Sequence, residues 1–179
     1  MRAIVSVDMN WGIGCNGSLL VEIPGDLQRF KEMTMGWPVI MGRKTRDSIP
    51  GKKLKGRTNI ILSTKNDDRY DIDEDTFYAR TTKSVIDFVN DIDLYKEAFV
   101  IGGEQIYDQF LDYCQTIYVT KINYEFGGVD SYFPNLDDMS EFEQVVNEKN
   151  IEWQDWTCRH TNINYQYKYI EYKRVALPN

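Results

Sequence analysis

Short runs of β-branched and apolar residues alternate along the chain with stretches of mixed polarity. Five of these runs predict strands of a buried sheet: residues 3–7, 38–41, 58–63, 98–101 and 116–120. Several of them are apolar without interruption, which is typical of parallel strands covered on both faces. In the tail, aromatic and polar residues alternate over 165–172, and this pattern predicts an antiparallel strand at the edge of the sheet.

Between the runs, three stretches have the spacing of amphipathic helices: residues 24–34, 83–90 and 104–111. In the first of them, Ile23, Leu27 and Phe30 recur at i, i+4 and i+7. We therefore expect these three side chains to share one buried face of the helix. The acidic stretch 66–75 is predicted to be a surface loop.

The order of these elements predicts a single α/β domain spanning residues 1–179. Its centre is expected to be a mostly parallel twisted sheet with an antiparallel C-terminal edge, flanked by about four helices. The length of 179 residues suits one compact domain, and no internal repeat or low-complexity linker divides the chain.

Composition narrows the range of partners. A formal net charge of −7 argues against nucleic acid as a ligand, because phosphate neutralisation requires a basic surface. The single histidine excludes metal sites built on several imidazoles, and Cys15, Cys114 and Cys158 are too widely spaced for a thiolate pair, so no metal is expected. No apolar run suggests a signal peptide or a membrane span. These features predict a cytoplasmic protein without membrane contacts, which we expect to be a monomer.

Basic residues nevertheless cluster over 43–57, and part of this cluster follows a predicted strand directly. The segment 42–45 (GRKT) places a glycine, two cations and a hydroxyl at the start of the next helix. Free backbone N–H groups and arginine both suit a phosphate ester. An ordinary helix start with exposed basic side chains would produce the same tetrapeptide, and the segment alone does not decide between the two.

A second strand runs into a helix through the paired glycines at 102–103. Two glycines permit unusual backbone angles and let a ligand approach the main chain. The pattern is not the G-x-G-x-x-G fingerprint, so a Rossmann domain is disfavoured, and no P-loop is present. The segment 63–65 (STK) is a third and weaker phosphate candidate.

Asp26 lies in the first turn of the first predicted helix, with Phe30 at i+4 on the same face. An acidic residue at this position often only interacts favourably with the helix dipole. Alternatively, burial beside apolar groups raises the pKa of a carboxyl and suits it to proton transfer. Asp26 by itself leaves both interpretations open.

Taken in order along the chain, these segments resemble the dihydrofolate reductase family. The resemblance rests on residues 4–7, 12–17, 23–31, 38–45, 48–50, 56–63 and 100–107. No single segment is decisive, but their ordered combination over most of the chain is specific. The resemblance implies reduction of 7,8-dihydrofolate to tetrahydrofolate with NADPH as cofactor, and antifolate compounds as inhibitors.

On the substrate side, the resemblance implies that Asp26 binds the pterin and promotes protonation at N5, supported by a hydrogen bond from Thr120. Arg57 should pair with the α-carboxylate of the substrate's glutamate tail, and the main-chain carbonyls of Ile4 and Ile101 should receive an amino group of antifolates. The other residues expected to bind the substrate are Val5, Leu27, Phe30, Ile49 and Tyr107.

On the cofactor side, the resemblance implies two phosphate-binding turns and a cis peptide between the paired glycines. The residues expected to contact NADPH are Ser6, Ile13, Asn16, Gly42, Arg43, Lys44, Thr45, Ser63, Thr64, Gly102, Gly103, Gln105 and Ile106.

Val21 departs from the family pattern, which usually has tryptophan at this position. Valine cannot donate the hydrogen bond that an indole N–H offers to a water near the pterin.

Two other functions share the fold. The first is a pyrimidine reductase of riboflavin synthesis, which would not explain why Asp26 and Arg57 occur together. The second is a non-catalytic folate- or nucleotide-binding protein, and Val21 is the one feature that favours it.

Overall fold

A computed structural model describes residues 1–65, 68–71, 75–145 and 152–175 of the chain. Its helices are α1 (Pro24–Thr34), α2 (Arg43–Ser48), α3 (Thr82–Asp91) and α4 (Glu104–Phe110). Its strands are β1 (Arg2–Val7), β2 (Gly12–Cys15), β3 (Ser18–Leu19), β4 (Val39–Gly42), β5 (Asn59–Leu62), β6 (Arg69–Asp71), β7 (Thr76–Ala79), β8 (Phe99–Gly102), β9 (Thr116–Ile122), β10 (Ser131–Tyr132), β11 (Phe142–Gln144), β12 (Gln154–Thr157) and β13 (Asn164–Arg174).

The main sheet has the strand order β11-β13-β9-β1-β8-β4-β5-β7-β6, with β12 paired to β13. Neighbouring strands from β9 to β7 are parallel, whereas β13 runs antiparallel to β9. The predicted mostly parallel sheet with an antiparallel C-terminal edge is therefore confirmed. A short separate sheet, β10-β2-β3, lies beside it.

The central strands are buried on both faces, as their uninterrupted apolar sequence predicts. In β4, Val39 and Met41 belong to one apolar cluster, while Ile40 between them belongs to another. Successive side chains of a strand point to opposite faces, so the two clusters are the two sides of the sheet. Phe30 of α1 packs on the first side and Phe110 of α4 on the second.

The far edge of the sheet was not predicted. Part of the expected surface loop forms β6, which pairs antiparallel with β7, and neither strand has a long apolar run of its own. Within the predicted loop, residues 66–67 and 72–74 lie outside the described residues. Such short edge strands are stabilised mainly by the strand beside them, which a local pattern does not reveal.

The predicted apolar face of α1 is wrong in part. Ile23 is 2% exposed, but it caps the helix in extended conformation and packs with Ile122, Tyr165 and Tyr167. Leu27 is 41% exposed, whereas Phe30 is partly buried against another cluster. Because Ile23 precedes the first helical residue, the helical spacing does not place it above Leu27. No helix in the described part of the chain is long and apolar enough to cross a membrane.

Candidate active site

The carboxyl ends of the parallel strands meet at one edge of the sheet, where a cleft of about 460 Å³ opens. Ligands of parallel α/β sheets bind at this edge. Most residues that the resemblance assigned to cofactor contacts line the cleft: Ser6, Ile13, Gly42, Arg43, Lys44, Thr45, Ser63, Thr64, Gly103, Gln105 and Ile106. Val5, Ile101 and Tyr107, which were assigned to the substrate, line it as well.

The two glycine turns follow neighbouring strands and lie side by side at the cleft. A Cβ atom on Gly103 would lie 3.5 Å from the Thr45 hydroxyl oxygen, and one on Gly42 would lie 3.1 Å from Cγ1 of Ile106. The turn after β4 and the turn after β8 are therefore close enough to contact one ligand together. Arg43 and Lys44 are exposed beside them, and the Arg43 guanidinium forms an ion pair with Asp47 at 3.0 Å.

Two residues of the predicted cofactor set do not line this cleft. The backbone N–H of Asn16 donates to the Asp130 carboxylate at 2.7 Å, and its neighbour Gly17 lines the cleft instead. Gly102 is buried under Tyr107, whose ring would lie 2.7 Å from an added Cβ, and the peptide between Gly102 and Gly103 is cis, as the resemblance implied.

Arg80 also lines the cleft and was not found from the sequence. It follows β7, and its backbone N–H donates to the Asp68 carboxylate at 2.7 Å. A usable signal was present, because Thr81 directly after it has the hydroxyl of a helix N-cap and accepts a hydrogen bond from the Ser84 N–H. A strand end followed directly by a helix start is the same arrangement that identified Gly42.

Asp26 lies half-buried in the first turn of α1 and points to β9. The Thr120 hydroxyl donates to its Oδ1 at 2.5 Å. Burial raises the pKa of Asp26, while the Thr120 hydrogen bond and the nearby charge of Arg29 oppose that rise. Thr120 is the register partner of Ser6 on β1, and Ser6 lines the cleft. The acid is thus set beside the cleft rather than on an open helix face.

Arg29 is a second residue that the sequence did not reveal. Its Nη1 donates to the Thr120 hydroxyl oxygen at 3.5 Å, and its guanidinium carbon lies 4.2 Å from the centre of the Tyr169 ring. Residues three apart share a helix face, so the i+3 spacing from Asp26 was the available signal.

Apolar residues of the predicted substrate set gather on one side of the sheet. Ile4 is buried in the same cluster that Phe30, Ile49 and Ile101 join as partly buried members. Leu27, on the adjacent turn of α1, keeps a large exposed surface. Because a flat aromatic ligand needs apolar walls that are not already covered, partial burial suits these positions.

Pairing between β1 and β8 is limited to Arg2 with Phe99 and Ala3 with Val100. It ends before Ile4 and Ile101, whose carbonyls the resemblance assigned to amino groups of antifolates. The buried Tyr107 hydroxyl donates to the Ile4 carbonyl at 2.8 Å, and burial raises the pKa of this phenol. The Tyr107 hydroxyl thus remains protonated and fixes the carbonyl.

Arg57 is buried and bound on one side. Its Nε donates to the Thr34 hydroxyl at 3.2 Å, and Nη1 and Nη2 donate to the carbonyls of Lys55 and Lys31 at 2.9 and 3.1 Å. It forms no ion pair with an acidic side chain of the described residues. Three of five N–H donors are used, which leaves one N–H on each terminal nitrogen for an anion.

Val21, the departure from the family pattern, is partly buried against Ile23 and the tyrosines of β13. It therefore contributes apolar contact and no hydrogen bond at the place where the family has an indole.

The whole arrangement matches known proteins. The family model for dihydrofolate reductase matches residues 1–174. The dihydrofolate reductase of Bacillus subtilis (strain 168) is 33% identical over 171 residues, covering 96% of this chain and 92% of that protein. The enzyme of that name from Haemophilus influenzae is 38% identical over 133 residues, covering 74% of this chain and 78% of that protein.

A solved structure has the same fold. Dihydrofolate reductase from Enterococcus faecalis, complexed with NADP(H) and RAB-propyl, gives a TM-score of 0.76 at 27% sequence identity. The match covers 98% of this chain and 96% of that one. With the family model spanning nearly the whole chain, this protein belongs to the dihydrofolate reductase family.

Proposed function

We propose that this chain reduces 7,8-dihydrofolate to 5,6,7,8-tetrahydrofolate with NADPH. The observation that carries the proposal is the half-buried Asp26–Thr120 pair beside a cleft with two glycine turns and exposed cations. A protonated acid next to a nicotinamide site is what reduction of a C=N bond requires, because carbon accepts hydride and nitrogen accepts a proton.

The cleft suits NADPH. Arg43, Lys44 and Arg80 offer positive charge to its phosphates, and Ser63 and Thr64 offer hydroxyl groups beside them. Gly42 and Gly103 let the main chain approach the pyrophosphate. Ser6, Ile13, Thr45, Gln105 and Ile106 line the same cleft and complete the proposed contacts, while Asn16 and Gly102 are proposed on the resemblance alone. When bound, NADPH supplies the hydride, and the protein's part is to hold it against the substrate.

The substrate is held by an apolar pocket with charged groups at both ends. Leu27, Phe30 and Ile49 enclose the rings, and Arg57 binds the α-carboxylate of the glutamate. The guanidinium carbon of Arg57 lies 6.0 Å from the centre of the Phe30 ring, so both can contact one extended ligand. Val5 and the carbonyls of Ile4 and Ile101 border the pterin, with Tyr107 near the nicotinamide.

We assign the protonation of the substrate to Asp26. Its raised pKa keeps a fraction of the carboxyl protonated closer to neutral pH than an exposed aspartate. It binds the pterin edge and promotes protonation at N5, while Thr120 fixes the orientation of the carboxylate. Val21 leaves this step without an indole donor, so Asp26 and Thr120 carry it.

The protein is further proposed to act as a cytoplasmic monomer. All assigned residues come from one chain, so the site needs no second copy. Cys15, Cys114 and Cys158 are free thiols, which suits a reducing compartment. Light scattering coupled to size-exclusion chromatography tests the monomeric state, since a stable dimer would have twice the mass of one chain.

The function is tested directly by following the oxidation of NADPH, as the loss of its near-ultraviolet absorbance, in the presence of dihydrofolate. We expect oxidation that depends on dihydrofolate and is blocked by an antifolate compound. Absence of substrate-dependent oxidation in the correctly folded wild type would reject the proposal, and binding of dihydrofolate without turnover would favour the non-catalytic alternative.

Arg43→Ala should weaken NADPH far more than NADH, because only NADPH carries the 2′-phosphate. A charge-assisted hydrogen bond contributes about 1.5–3 kcal/mol, so the KM for NADPH should rise about 10- to 100-fold. Arg46→Ala is the matched control, since Arg46 pairs with the same Asp47 but does not line the cleft. An equal rise in the KM for NADPH and for NADH would show that Arg43 does not contact the 2′-phosphate.

A further inference from the structure

Arg29 holds a positive charge close to the proposed acid without forming an ion pair with it. Its guanidinium carbon lies 4.2 Å from the centre of the Tyr169 ring and 5.8 Å from that of Tyr118. Within the described part of the chain, no carboxylate lies within 4.0 Å of its nitrogens. The aromatic faces therefore hold the cation in place.

Arg29 also orients the hydrogen bond that reaches Asp26. Its Nη1 donates to Thr120 Oγ1, and Thr120 Oγ1 lies 2.5 Å from Asp26 Oδ1. A hydroxyl has a single proton, and a guanidinium can only donate. Because the Thr120 hydroxyl oxygen accepts a hydrogen bond from Arg29, the hydroxyl proton can point to Asp26. Hydrogen bonds are thus donated in one direction, from Arg29 to Thr120 and from Thr120 to Asp26.

We propose that Arg29 is a positioning residue that sets the pH range in which this site gives up its proton. The inference deepens the proposed reduction and rests on it for its effect on turnover. Arg29 does not touch the reacting atoms in this arrangement; it acts through Thr120 and through its charge.

The surrounding groups leave Arg29 as the main source of positive charge at the acid. From α1 the site is faced by Asp26 itself, from β9 by Tyr118 and the neutral Thr120, from β13 by Tyr167, Tyr169 and Glu171, and from α4 by Tyr107. Burial raises the pKa of Tyr169 to about 12, so this ring is neutral at working pH. Asp26, Tyr118, Tyr169 and Glu171 all favour the charged form of Arg29, which burial opposes.

The sign of the effect does not depend on which group carries the proton. Removing a cation strengthens proton binding both at Asp26 and at N5 of a bound pterin. Reduction loses its proton source as the pH rises, so the alkaline fall in rate should move to higher pH. An opposite charge within about 4–6 Å shifts a carboxyl pKa by about 1–3 units, and beyond ion-pair contact we expect about 0.5–1 pH unit.

The test compares Arg29→Met, which is uncharged, with Arg29→Lys, which keeps the charge. Arg2→Met is the matched control, because Arg2 also stacks on a ring, 5.2 Å from the centre of Phe99, but at the opposite end of the strands. The titration of the Asp26 carboxyl carbon is followed by NMR in the free protein, and the pH profile of turnover is measured in parallel.

Arg29→Met should raise the titration midpoint of Asp26 and the midpoint of the alkaline fall together, by about 0.5–1 pH unit. Arg29→Lys should stay near the wild type, and Arg2→Met should leave both midpoints unchanged. An unchanged Asp26 titration in Arg29→Met, or an equal shift in Arg2→Met, overturns the proposal. If Arg29→Met does not fold, Arg29→Gln removes the charge in the same comparison.

The two readouts separate two kinds of failure. A wild type without dihydrofolate-dependent turnover would reject the proposed reduction, while the NMR titration would still decide whether Arg29 controls Asp26. Full turnover with an unchanged titration would keep the function and reject the role of Arg29.

Discussion

Asp26→Asn should lower the rate of dihydrofolate reduction at pH 7 by about 100- to 10,000-fold, the usual contribution of a positioned acid or base. The amide can accept the hydrogen bond from Thr120, so the geometry at 2.5 Å can persist while the proton is lost. Measurement of turnover at saturating NADPH and dihydrofolate isolates this loss from binding. A variant as fast as the wild type at every pH would refute the role of Asp26.

The loss should shrink as the pH falls. Substrate protonated in solution no longer needs the carboxyl, so acid should restore part of the rate of Asp26→Asn relative to its own value at pH 7. Wild type should gain less over the same range because Asp26 already assists protonation. A constant ratio of the two rates from acid to neutral pH would contradict proton supply as the missing function.

Stability provides the control for this variant. The pKa of Asp26 is higher in the folded state than in the unfolded state. Its favourable contribution to the free energy of unfolding is therefore complete below the pKa of the unfolded state and is lost as the pH rises through the pKa of the folded state. Above that range a partly buried carboxylate opposes folding. Thermal unfolding should therefore show Asp26→Asn at least as stable as the wild type near pH 7, a gain that fades in acid. A large drop in Tm would mean that the loss of activity reflects unfolding.

The strand cores were accessible from sequence because their signals are local, and continuous apolar runs mark β4 and β5. The local pattern made Asp26 only a candidate, and the resemblance to a family gave it the role of the acid. Thr120 was assigned only through resemblance to a family, since its hydroxyl and Asp26 are 94 residues apart. Packing of α1 on the side of the sheet that includes Tyr118 of β9 brings the two together, and no pattern within either segment encodes that contact.

Other features depend on the assembled fold. Leu27 has the spacing of a core residue but is 41% exposed, and Ile23, which is extended before the helix, packs into a different cluster from Phe30. Arg80 follows a short strand that only its neighbours stabilise, and Arg29 acquires its position from rings on β9 and β13. Arg80 and Arg29 carry charge into the site through tertiary contacts, where residue type alone suggests solvent exposure.

Arg57→Lys should raise the KM for dihydrofolate about 10- to 100-fold with a much smaller effect on kcat. Charged hydrogen bonds contribute about 1.5–3 kcal/mol, and a lysine cannot present two parallel N–H groups to a carboxylate. The three bonds to Thr34, Lys31 and Lys55 fix the guanidinium before substrate arrives, so little ordering cost remains for binding. Steady-state kinetics at saturating NADPH measures the two parameters separately.

The substrate itself offers the sharpest control. A dihydropterin substrate without the glutamate has no α-carboxylate, so Arg57→Lys should leave its KM nearly unchanged. Lys53→Met tests general charge, because Lys53 and Arg57 border the same small cavity of about 270 Å³. Since Arg57 is buried and holds two backbone carbonyls, its replacement also lowers stability, and Tm must be compared with the assay temperature. Equal losses for substrates with and without glutamate, or an equal loss in Lys53→Met, would show that Arg57 does not bind the carboxylate.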